Sequence, residues 1–153
     1  MKYAGLIVLL LWGCTKDSVR QEEKILMNSQ WVVTAFTVEP GWMHPQDSVL
    51  ITDLLLATEA CARDDYYTFD ANGIYTHHRG ELRCNSTEPE STTSRWTLSR
   101  NDGKLWLSIA GTPYYEVEVQ RLEEGRMNWY LDFLPLGDGV SRSAKMTLEK
   151  RRS

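Results

Sequence analysis

Few residues in this chain are suited to catalysis, and each shortage removes a class of function. Three histidines occur in 153 residues, His44, His77 and His78, and none has metal-ligand spacing to another. His77 and His78 are adjacent, and in a strand adjacent side chains point to opposite faces. A thiolate site joining either of them to Cys61 and Cys84 is therefore disfavoured, and His77-His78 is read as one surface and one half-buried residue. No serine stands on a nucleophile-elbow turn, and no cysteine is signalled beside an activating histidine. A phosphate-binding glycine loop is missing as well. The carboxylate pairs Asp64-Asp65 and Glu123-Glu124 fall at turns or strand ends, where solvated charge rather than acid–base work is expected. No cofactor and no metal is expected. Catalysis would need His77 or His78 to converge with a carboxylate in a concave pocket, so the chain is read as non-enzymatic.

Basic clusters are lacking too. The 17 basic and 21 acidic residues leave no concentrated positive charge to neutralise nucleic acid or anionic lipid. Nor is any apolar run long enough for a permanent membrane span. The longest, Tyr3 to Trp12, follows the basic start Met1-Lys2 and ends in Leu11-Trp12-Gly13-Cys14. Position, charge and length suit a cleaved export signal. Its ending resembles a lipobox, in which a small residue precedes a cysteine that is acylated and becomes the new N-terminus. The resemblance implies a signal peptide over 1–13, a lipid-anchored Cys14, and attachment to the cell envelope, at the outer membrane, facing the periplasm or the outside. More than one acyl chain on a residue holds a protein durably at a membrane surface.

About 140 residues remain after such a cleavage, enough for one domain with a sizeable core. With Lys2 removed, sixteen basic residues face twenty-one acidic ones, a formal balance of −5. Cysteine is equally sparse: beyond Cys14 only Cys61 and Cys84 remain, and in an exported chain they are expected to pair.

The stretch from Thr15 to Ser29 is polar, with a weak helical pattern over Glu22 to Met27, and is read as a tether over 14–29. Short runs rich in Val, Thr, Trp, Tyr, Ile and Leu follow, separated by Gly, Asn, Asp and Pro, which is the pattern of an antiparallel sheet. The first strand is expected over Trp31 to Glu39, ended by Pro40-Gly41, with Val32, Thr34, Phe36 and Val38 on one face. A helix is expected from Asp47 to about Ala60, capped by Asp47 or Ser48. Asp65 to Asp70 and Ile74 to Arg79 form the next strands around Ala71-Asn72-Gly73, and Asn85 to Thr93 reads as an exposed loop. Alternation then places Trp96 and Leu98, Leu105, Leu107 and Ile109, Tyr115, Val117 and Val119, Met127, Trp129, Leu131 and Phe133, and Met146 and Leu148 on buried faces. About eight strands with short turns favour an up-and-down antiparallel barrel, which removes its exposed edges by closing; an open sheet or sandwich is the alternative.

Several segments carry a resemblance: Trp31-Val32-Val33, the run Ala60-Cys61-Ala62-Arg63-Asp64-Asp65-Tyr66-Tyr67-Thr68-Phe69-Asp70-Ala71-Asn72-Gly73-Ile74-Tyr75, then Gly80, Cys84, Trp96 and the strand Tyr115 to Val119. In this order they resemble the lipocalin-like domain of lipoproteins from Gram-negative bacteria, over residues 30–150. The resemblance implies a mainly β, calycin-type eight-stranded barrel, with one short helix between its first and second strands. By analogy it implies a small apolar ligand. An eight-stranded barrel either fills with side chains or holds one small ligand. Phe36, Trp96, Leu107, Tyr115, Met127, Trp129, Phe133 and Met146 are the bulky residues expected to line or fill it.

Two functions follow as expectations. One is a membrane-anchored, non-enzymatic module that binds a small apolar ligand or an envelope protein. The other is a structural accessory lipoprotein whose barrel is solid. Trp42-Met43, between Pro40 and Pro45, is expected to pack against the helix, with a cap on the barrel mouth or a partner contact as alternatives, and Asp17-Ser18-Val19 and Asp47-Ser48-Val49 resemble an O-glycan acceptor of exported bacterial proteins.

Overall fold

In the computed structural model, residues 16–111 and 114–152 are described. The expected signal peptide and Cys14 lie outside the described residues. Nine strands form one antiparallel sheet: β1 (Trp31–Met43), β2 (Leu50–Asp53), β3 (Tyr66–Phe69), β4 (Ile74–His78), β5 (Ser91–Asn101), β6 (Lys104–Ile109), β7 (Tyr115–Glu123), β8 (Arg126–Leu131) and β9 (Ser143–Lys150). Each of β3 to β8 pairs with its successor, and β1 pairs with both β3 and β9, closing an eight-stranded barrel with β2 as an extra strand outside the ring. The alternation seen in the sequence is what closes it, because one face of each strand must leave water. Leu105, Leu107 and Ile109 of β6, Val117 and Val119 of β7, and Met127, Trp129 and Leu131 of β8 are all buried.

The hairpins use the residues their turns demand. Between β5 and β6, Asp102 and Gly103 both have positive φ (49° and 77°), the two-residue turn whose twist matches its flanking strands. Between β3 and β4, Asp70 Oδ1 accepts the amides of Asn72 (2.8 Å) and Ile74 (3.0 Å). The indole of Trp96 donates to Asp70 O, pinning the same turn to β5.

Three expectations need correction. First, β1 does not keep one phase. Val33 pairs with Leu148 but Ala35 with Thr147, so Thr34 is an extra residue, and such a bulge reverses the side-chain alternation beyond it. Trp31 and Val33 point inward before the bulge, Phe36 and Val38 after it, while Thr34 is exposed. Second, Pro40-Gly41 does not end β1. The strand continues to Met43 and is met by β2, whose register with it shifts between Thr37 and Trp42. A bulged segment can take proline because no ladder hydrogen bond is needed there. Gly41 lets β2 come close, since a β-carbon there would lie 2.9 Å from Leu50 Cδ1 and 3.2 Å from Ile51 O. Third, no helix begins at Asp47 or Ser48. Asp47 Oδ1 accepts the Val49 amide and bonds the His44 ring, Ser48 has φ 59°, and Val49 to Thr52 runs into and along β2 instead. Between β2 and β3 helix comes in two short pieces, α2 (Leu54–Ala57), capped by Asp53, and α3 (Ala60–Arg63). The Arg63 guanidinium joins them by donating to Leu56 O and Thr58 O.

The expected tether is also part of the fold from Lys16 onward. Helix α1 (Lys16–Met27) packs at the end of the barrel where β1 begins. Leu26 is fully buried in the main core, its carbonyl accepts the Trp31 indole N–H at 2.9 Å, and Glu22 pairs with Arg100 of β5. Among the described residues no helix is long and apolar enough to cross a membrane. Cys61 of α3 and Cys84 are placed as a disulfide pair with Cα atoms 5.1 Å apart. Glu59 lies beside them, but with both sulfurs paired no thiolate remains to bind a metal.

Candidate binding cavity

Inside the barrel the strand register stacks side chains in layers, and the layers differ in how well they fill the space. Val33 of β1, Leu148 of β9 and Met127 of β8 pair across the strands. Leu148 and Met127 are fully buried beneath α1, so this half is solid. One layer further, Phe36, Met146 and Trp129 pair in the same way. Above them stand Val38, Leu131 and the small Ala144. In this half the side chains leave a cavity of about 310 Å³, lined by Phe36, Trp129, Leu131 and Met146 together with Ile109, Tyr115, Val117, Leu134, Tyr67, Tyr75 and His77. The volume is at the lower limit of small-molecule sites.

The eight residues expected at the interior therefore divide. Phe36, Tyr115, Trp129 and Met146 line the cavity. Trp96, Leu107 and Met127 are buried in packed core and do not line it. Phe133 is 63% exposed and faces outward, a correction whose cause is that β8 stops at Leu131, so the alternation no longer governs it. Tyr67, Tyr75 and His77 are lining residues that the sequence reading missed. Their signal was there in period two: Asp65, Tyr67 and Phe69 share one face of β3 and its approach, Tyr75, His77 and Arg79 one face of β4, and the ladder sets Tyr67 opposite His77.

These residues make one end of the cavity polar. Asp65 is 4% exposed, not a solvated charge as expected. Its Oδ2 meets His77 Nε2 at 2.7 Å and the Arg79 guanidinium at 2.8 Å, and its Oδ1 accepts the Gly80 amide at 3.0 Å. A carboxylate that accepts from arginine and from a backbone N–H also accepts from the imidazole, so Nε2 carries the proton; in neutral imidazole this makes Nδ1 an acceptor. The neighbouring Asp64 takes the amides of Glu81 and Leu82, and a β-carbon at Gly80 would collide with its carboxylate. The turn after β4 thus needs glycine there to hold Asp65 in place.

The His77 ring lies 4.9 Å from Tyr67, which stacks on Tyr75 at 5.8 Å. Burial, reinforced by the Asp65 charge, pushes the Tyr67 hydroxyl up to about 12. Burial drives Tyr75 up as well, with Tyr67, Tyr115 and Asp65 adding to it. Trp129, 7% exposed, has a buried indole N–H with no acceptor among the described residues. His78 turns away from this site. It stacks on Tyr66 at 4.4 Å, its Nε2 bonds the Thr68 hydroxyl at 2.9 Å, and burial, followed by the His77 charge, lowers its pKa.

His77 therefore meets the condition set for catalysis: it converges with a carboxylate at a concave site. The remaining lining does not extend that pair into a reactive group. Among the described lining residues the only hydroxyls are tyrosines, and those of Tyr67 and Tyr75, held in their neutral form, are hydrogen-bonding groups rather than nucleophiles. No protein-family model matches the chain, and comparison with curated proteins finds no match.

Proposed function

We propose that this protein is a non-enzymatic binding module that takes a small, mainly apolar molecule into the unfilled half of its barrel. The observation that carries the reading is the cavity of about 310 Å³ walled by Phe36, Trp129, Leu131, Met146, Ile109 and Val117. A barrel serving only as a solid spacer would be packed throughout, as the half beneath α1 is. The cavity equals the liquid volume of about ten waters, which suits a compact ring system or short chain rather than a phospholipid.

The expectation of an exported lipoprotein enters the same proposal. Cys14 would carry the lipid, and the folded domain would begin two residues later at α1, so the plugged end of the barrel is held beside the membrane. Labelled acyl chains are expected in the intact protein and not in Cys14→Ser; label retained by the variant would remove the anchor. A partner protein is a second reading, favoured by the exposed Met43, Val49, Leu50 and Leu56 on the β1–β2 extension and α2.

Leu134→Trp tests the cavity, because the larger side chain enters the space from a half-buried wall position. Propylbenzene, followed by calorimetry and by shifts of methyl resonances, is expected to bind the natural protein and to bind the variant at least about ten-fold more weakly, a loss of about 1.4 kcal/mol. Equal affinity in both proteins, or no binding to either, would reject the cavity as a binding site.

A further inference from the structure

The polar end of the cavity is too specific in composition for a purely hydrocarbon occupant. An apolar ligand would offer no hydrogen-bond partner to Tyr67, Tyr75 and His77 in the lining, nor to the buried Trp129 indole N–H, which has none among the described residues, and polar groups are costly to leave unmatched. We infer that this end, built from His77 held by Asp65 and from the hydroxyls of Tyr67 and Tyr75, selects a neutral apolar molecule bearing one hydroxyl group. The inference rests on the cavity being the binding site, as proposed above.

A hydroxyl is the complement because it both donates and accepts. Its oxygen and its proton can each serve His77 Nδ1, the ring nitrogen that the Asp65 contact at 2.7 Å leaves free. Its oxygen suits a tyrosine O–H. Tyr67 and Tyr75 are stacked with interplanar angle 15°, and Tyr67 faces His77, so the three groups come from two adjacent strands whose ladder holds them in register.

Charge argues against a carboxylate. Arg79 is the cation of this cluster, and it is shared by two acids, Asp65 at 2.8 Å and Glu88 at 3.5 Å. Two carboxylates against one guanidinium leave no free cation for an anionic head group, since Asp65 already engages both the Arg79 guanidinium and the His77 ring and Glu88 takes the other side of Arg79. An anionic head group would meet like charge in a poorly solvated site, where repulsion is strongest. Burial is the main cause of the raised Tyr67 and Tyr75 hydroxyls, and the Asp65 charge adds to it in the same direction.

The experiment compares three ligands of one shape in calorimetry at neutral pH: para-propylphenol, propylbenzene and para-propylbenzoate. The phenol is expected to bind about ten-fold more tightly than propylbenzene, the worth of one well-placed hydrogen bond, and the benzoate more weakly than either. Tyr67→Phe and Tyr75→Phe keep the ring packing while deleting a hydroxyl; at least one should remove most of the phenol's advantage over propylbenzene. Equal binding of phenol and propylbenzene would overturn the hydroxyl selection while leaving the cavity reading intact. Tightest binding of the benzoate would overturn the charge argument. Failure of all three to bind would remove the cavity reading and this inference with it.

Discussion

Trp31→Ala is expected to lower the unfolding free energy by about 4 kcal/mol, as for other buried tryptophan truncations. Trp31 has no solvent exposure. It is also where β1 touches both neighbours, pairing with Lys150 of β9 and Tyr67 of β3. Its indole N–H bonds the Leu26 carbonyl at the end of α1, so the one side chain fills the solid half of the barrel and fastens its plug. Truncation opens a void that fixed strands cannot collapse into, and it strands a carbonyl. Trp31→Phe separates these effects, because it restores most of the volume and none of the hydrogen bond, and about half the loss should return. Urea denaturation followed by circular dichroism measures both. Hydrogen exchange should show the amides of α1 losing protection first in Trp31→Ala. A loss under about 1 kcal/mol would mean that the helix and barrel are held by other contacts.

Replacing Cys61 and Cys84 together by alanine is expected to cost about 3 kcal/mol, the loop-closure entropy that a bridge across 23 residues of sequence separation removes from the unfolded chain. The loss should come mainly from the unfolded state. The segment after β4 keeps its attachment without the bridge, because Asp64 accepts the Glu81 and Leu82 amides and Asp65 accepts that of Gly80. The variant's spectrum should therefore match that of the natural protein while its denaturation midpoint falls, and a reducing agent should act on the natural protein in the same way. Unchanged stability under reduction would show that the two sulfurs are not bonded in the folded protein.

Much of the barrel could be read from the chain because its evidence is local. In β6, β8 and β9 the pattern runs without interruption, and Leu105, Leu107 and Ile109, or Met127, Trp129 and Leu131, are buried as the alternation requires. The turns at Asn72-Gly73, Asp102-Gly103 and Glu124-Gly125 were legible for the same reason, each glycine standing where φ is positive. Reading failed where an element depends on a partner distant in sequence. Leu50 to Asp53 is too short to announce itself, and it is a strand because the tail of β1 offers it an edge. Glu22 to Met27 showed only a weak helical pattern, and α1 is secured by burying Leu26 against a barrel built from the rest of the chain.

The candidate site divides in the same way. Phe36, Tyr115, Trp129 and Met146 were identified as bulky residues on inward faces, but no pattern of spacing distinguishes a wall of empty space from one of packed core, as Trp96, Leu107 and Met127 show. Asp65 looked like a solvated strand-end charge because nothing adjacent in sequence supplies its partners; His77, Arg79 and the Gly80 amide reach it from 12 to 15 residues away.

Taken alone, the amino-acid order determined strand positions, most turns, and an antiparallel meander with a dry face, since hydrophobic period and glycine geometry act over a few residues. Tertiary structure decided the bulge at Thr34, the plug formed by α1, the solid and hollow halves of the interior, and the assembly of Asp65, His77, Tyr67 and Tyr75. Those depend on which side chains meet across the closed barrel, and that is a matter of register and volume.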